Sequence, residues 1–96
     1  MARYLVSYEL FNNDGEPGAY EKLFSALASH GGHKIQHSAW LVFFNGTAEQ
    51  FCEYLGWFVA HEDQLMVVEI TPNHAFTSII PGAHEWFEAQ LPAATL

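Results

Sequence analysis

Ninety-six residues suffice for one core, so the chain is read as a single domain over 1–96. Half of its residues are hydrophobic and 16% are aromatic, which excludes an intrinsically disordered chain. Eleven acidic residues stand against three basic ones, Arg3, Lys22 and Lys34, giving a formal net charge of −8. Nucleic-acid affinity rests on Lys and Arg displacing counterions, so this balance excludes a generic binder of DNA or RNA. It suits solubility, a divalent cation or a basic protein partner.

Residues 4–11 (YLVSYELF) are rich in β-branched and aromatic types and are expected to form a strand. One face carries Tyr4, Val6, Tyr8 and Leu10, and the other Leu5, Ser7, Glu9 and Phe11. The cluster of turn formers at 12–18 ends it. A helix is expected over 19–29, where Tyr20, Leu23, Phe24 and Leu27 recur at the spacing of one buried stripe; Gly31-Gly32 stops it.

Two strands are expected over 33–38 and 39–44. The second, AWLVFF, is a continuous apolar run of the kind buried on both faces. Asn45-Gly46 turns the chain. The Asn45-Gly46-Thr47 triplet has the form of a glycosylation acceptor but reads as a plain turn. Thr47 and Gln50 have capping-box spacing for a helix over 48–60, with Phe51, Cys52, Leu55, Phe58 and Val59 inward. Cys52, the only cysteine, is expected to be a buried inert thiol, which leaves no disulfide and no thiolate metal site. Gly56 is expected to permit close packing of this helix on the sheet. Residues 65–71 (LMVVEIT) read as another buried strand, and 76–80 as a short edge strand or an irregular segment. Pro81-Gly82 opens a last helix with Trp86, Phe87, Gln90 and Leu91 on one side.

The resulting order is a ferredoxin-like β-α-β-β-α-β plan with a short C-terminal helix, an α+β domain with an antiparallel sheet. Two helices cover one sheet face. The other face is expected to pack on a second copy of the chain, with Tyr8, Trp40, Phe43 and Trp86 as interface anchors. No run is long enough for a membrane span and no signal pattern opens the chain, so a cytoplasmic location is expected.

Three motifs bear on chemistry. Glu9, near Asp14 and Glu16, offers oxygen ligands of the kind Mg²⁺ or Mn²⁺ prefers, although a strand-end acid is more often a solvated one. His30, His33 and His37 form an H-x-x-H-x-x-x-H series; on one continuous helix they would share a face, and Gly31-Gly32 breaks that helix. The loop at 12–18 fails the register of an EF-hand.

Tyr4-Leu5-Val6-Ser7-Tyr8-Glu9-Leu10, Lys34-Ile35-Gln36-His37-Ser38-Ala39-Trp40 and Leu65-Met66-Val67-Val68-Glu69-Ile70 carry a family resemblance. The first resembles strand one of the small CRISPR-associated adaptation-complex subunits and the virulence-associated protein D ribonucleases. The second resembles their β2–β3 junction, and the third matches their fourth strand in placement. Ser38, Trp40, Leu41, Val42 and Trp86 also resemble the pattern of an uncharacterised branch of this fold. The resemblance implies a ferredoxin-like protomer pairing through its sheet into a two-fold dimer. In the nucleases of that family, strand-one aspartates of two protomers approach each other and bind a divalent metal; Glu9 stands at that position here.

The expected function is therefore a homo-oligomeric acidic protein, non-enzymatic and acting through protein contacts, with no cofactor and no catalytic residue. One alternative is a Mg²⁺- or Mn²⁺-dependent endoribonuclease with paired Glu9 at the dimer axis. Another is a regulator that binds a small ligand or nucleotide.

Overall fold

A computed structural model of the chain describes residues 1–11, 20–77 and 81–90. The chain forms β1 (Ala2–Glu9), α1 (Glu21–Ser29), β2 (His33–Gln36), β3 (Ala39–Phe44), α2 (Ala48–Gly56), β4 (Gln64–Glu69) and α3 (Ala83–Gln90). It is a small α+β protein with one four-stranded sheet in the order β2-β3-β1-β4, in which every neighbouring pair is antiparallel.

Local chemistry sets the element ends. At the end of α1, Gly32 donates its N–H to Leu27 O and Gly31 to Ala28 O, the paired bonds of a Schellman cap. Gly31 takes φ +70°, a left-handed conformation that side chains with a Cβ resist. Thr47 and Gln50 close a full capping box on α2: the Thr47 hydroxyl accepts the Gln50 N–H, and the Gln50 side chain accepts the Thr47 N–H. Gly56 stands at the last position of α2 with nothing near the site of a Cβ. It faces open space, which corrects the expectation that it lets the helix approach the sheet.

Alternation along β1 divides the core. Tyr4, Val6 and Tyr8 point to the face covered by α1 and α2, where they meet Leu23, Leu27, Val42, Phe51 and Leu55. A second, smaller cluster lies on the opposite face. There α3 lays Trp86 and Phe87 against Ile35, Ala39, Leu41 and Phe43, with the Trp86 ring 4.6 Å from that of Phe43. The indole N–H of Trp86 donates to Gly31 O at 2.8 Å, which anchors the helix to the α1–β2 turn. Central β3 is thus covered on both sides, as its unbroken apolar run predicts.

The four aromatic residues read as interface anchors all pack within the chain. Tyr8 and partly buried Trp40 lie under α1, where the Trp40 indole N–H donates to the Tyr8 hydroxyl at 3.2 Å. Phe43 and Trp86 face each other under α3. The second face is not left bare, because the chain covers the β2–β3 half of it with its own third helix.

Candidate functional site

The α3 cluster reaches Leu5 and Ile70, and beyond it, among the described residues, the part of that face around Met66 and Val68 stays exposed. Met66 is 60% exposed and Val68 45% exposed on β4, beside partly buried Leu5 on β1. The register places Leu5 opposite Val68 and Ser7 opposite Met66, so these side chains form one strip on one face. The run 65–71 was expected to be buried. The difference has a plain cause: a short apolar run reads the same whether a strand lies inside a sheet or at its edge.

The sheet's two edges differ. β2 carries exposed Lys34 and a register shift between Lys34 and Gln36, and α3 packs close to it, with His33 Nε2 3.0 Å from Pro81 O. A lysine, a bulge and a covering segment are the usual guards of an edge strand. β4 has neither lysine, proline nor bulge, and among the described residues no strand pairs with its outer side. The phase of its ladder follows from one bond, the Ile70 N–H donating to Arg3 O at 2.8 Å. Even-numbered residues of β4 therefore bond to β1, while Leu65, Val67 and Glu69 turn their N–H and C=O groups outward.

The remaining candidate residues do not converge. Glu9 is exposed at the end of β1 and pairs with Gln64. Asp14 and Glu16 lie outside the described residues. His30 caps α1 with its ring among Phe44, Phe51 and Tyr54, His33 sits on β2, and exposed His37 occupies the β2–β3 turn. Among the described residues, no three His, Cys, Asp or Glu side chains are grouped as metal ligands.

Two grooves flank α2. One, of about 450 Å³, is lined by Lys22, Ser25, Ser29, Tyr54 and Phe58. The other, of about 460 Å³, lies between α2 and β4 and is lined by Ala48, Glu49, Cys52, Glu53 and Val67. Cys52 is thus only partly buried, against the expectation of a fully buried thiol.

Sequence reasoning passed over Asp63. Its Oδ1 accepts the Phe11 N–H at 2.8 Å and the Tyr20 hydroxyl at 3.1 Å, and its Oδ2 accepts the Ala60 N–H at 2.7 Å. Desolvation raises its pKa, and the bonds from Phe11, Ala60 and Tyr20 outweigh it, holding the carboxyl below its ordinary value. The available signal was an aspartate three residues after Ala60 in a tight loop, a common capping arrangement. Burial raises the pKa of Tyr8, against a smaller opposing effect of the Trp40 N–H. Both tyrosine and aspartate serve the architecture here, since neither opens onto a groove described above.

No model of a known protein family matches the chain. No helix among the described residues is long and apolar enough to cross a membrane.

Proposed function

We propose that this chain is a cytoplasmic, self-associating protein that works through protein contacts rather than catalysis, built on a ferredoxin-like plan. Support for the plan comes from the antiparallel order β2-β3-β1-β4, with α1 and α2 on one face. Two short strand-to-strand crossovers through helices on one side of an antiparallel sheet are the mark of that arrangement.

One observation carries the functional reading: Met66 and Val68 stand exposed on the β4 edge, which among the described residues has no pairing strand, lysine, proline or bulge. An exposed apolar edge strand is a template for another strand, and an apolar strip left exposed on an acidic chain is a natural contact surface. The experiment is sedimentation equilibrium of the full chain at micromolar concentration. A mass of two chains or more is expected, and a mass of one chain rejects the reading.

A further inference from the structure

We propose that the partner of this edge is a second copy of the chain, joined β4 to β4 about a two-fold axis through Val67. This deepens the self-association reading and rests on it. The free backbone groups of β4 belong to Leu65, Val67 and Glu69. An antiparallel copy centred on Val67 sets Val67 against Val67 of the copy and Leu65 against Glu69 of the copy. Every outward N–H and C=O of the strand then finds a partner.

Charge disfavours the neighbouring register centred on Met66. Centring the axis on Met66 would set Glu69 opposite Asp63 of the copy, and like charges directly opposite destabilise a pair. Asp63 is moreover already bonded to Phe11, Tyr20 and Ala60. Centring on Val67 places Glu69 against an uncharged leucine and sets Met66 beside Val68 of the copy. The exposed strip closes on itself, and the four-stranded sheet becomes continuous across the axis.

The area argument agrees. A stable interface buries more than about 1,000 Å² in total, more than strand pairing alone supplies, so the face strip must join the edge. The groove between α2 and β4 opens beside the same seam and carries Glu49 and Glu53. Each copy carries a formal net charge of −8, so association is expected to strengthen as salt screens the repulsion.

The test uses full chains in which Cys52 is replaced by serine, one carrying Met66→Cys and the other Val68→Cys. Both positions are exposed, so folding is retained. Directly opposite residues of a non-hydrogen-bonded pair lie about 4.5 Å apart at Cα, within disulfide range. Under mild oxidation, the mixture of the two variants is expected to form disulfide-linked dimers several-fold faster than either variant alone. Faster linking of Met66→Cys with itself overturns the register. A dimer by sedimentation in which no combination links overturns the edge pairing but leaves self-association standing. A single-chain mass for the parent overturns both.

Discussion

The carboxylate of Asp63 accepts the backbone N–H of Phe11 at 2.8 Å, joining positions 52 residues apart. With the bonds from Tyr20 and Ala60, one side chain ties the end of β1, the start of α1 and the α2–β4 connection. Asp63→Asn retains one acceptor oxygen but turns an amide NH₂ toward a backbone donor. The variant is expected to lose about 1–2 kcal/mol at neutral pH, the low end for bonds to a charged group because Asp63 is only half-buried. Urea unfolding measures it.

The same carboxylate sets a pH dependence. Its folded pKa lies below the ordinary 3.8, so its contribution is complete above that value and is lost as pH falls through the folded pKa. The stability difference between parent and Asp63→Asn is expected to shrink between pH 4 and pH 2. A difference that stays constant over this range would show that the charge plays no part.

Trp86 holds α3 on the sheet through its contact with Phe43 and its bond to Gly31 O. Trp86→Ala is expected to cost about 3–5 kcal/mol and Trp86→Phe about 1 kcal/mol beyond its small volume loss. In the alanine variant, limited proteolysis should cut first in the segment around α3. Equal resistance of parent and variant would mean that α3 is held by other contacts.

Two glycines are expected to respond in opposite directions. Gly56→Ala meets open space in a helical position and should stabilise by about 0.5–1 kcal/mol. Gly31→Ala must place a Cβ at φ +70°, 3.2 Å from the Phe43 ring, and should destabilise by about 1–2 kcal/mol. Thermal unfolding of the pair provides the comparison.

Met66→Lys puts a charge in the middle of the open edge, at a position that is 60% exposed. Self-association is expected to weaken at least tenfold, about 1.4 kcal/mol, with unfolding of the single chain unchanged. Undiminished association by sedimentation would place the contact elsewhere.

With Mg²⁺ or Mn²⁺, neither the parent nor Glu9→Gln is expected to cleave RNA or bind it at physiological salt. Three basic residues supply too few phosphate contacts for counterion release to drive binding. Cleavage by the parent that vanishes in Glu9→Gln would move Glu9 to the centre of the chemistry.

By itself the sequence determined the elements whose causes are local. Thr47 and Gln50 cap α2, Gly31 and Gly32 end α1, and the alternation of β1 separates Tyr4, Val6 and Tyr8 from Leu5 and Ser7. These features depend on a few neighbouring side chains and on backbone geometry, which spacing records. Only the tertiary structure decided what covers each face. The run around Val67 carries the same apolar pattern as a central strand, yet its place at the end of β2-β3-β1-β4 exposes Met66 and Val68. Trp86 has no local reason to choose its own sheet over a partner's. It folds back because the carbonyl of Gly31 and the ring of Phe43 lie within reach across more than forty residues of chain. Asp63 shows the same limit: its partners Phe11 and Tyr20 lie more than forty positions away, and only long-range pairing of β1 with β4 brings them to one carboxylate.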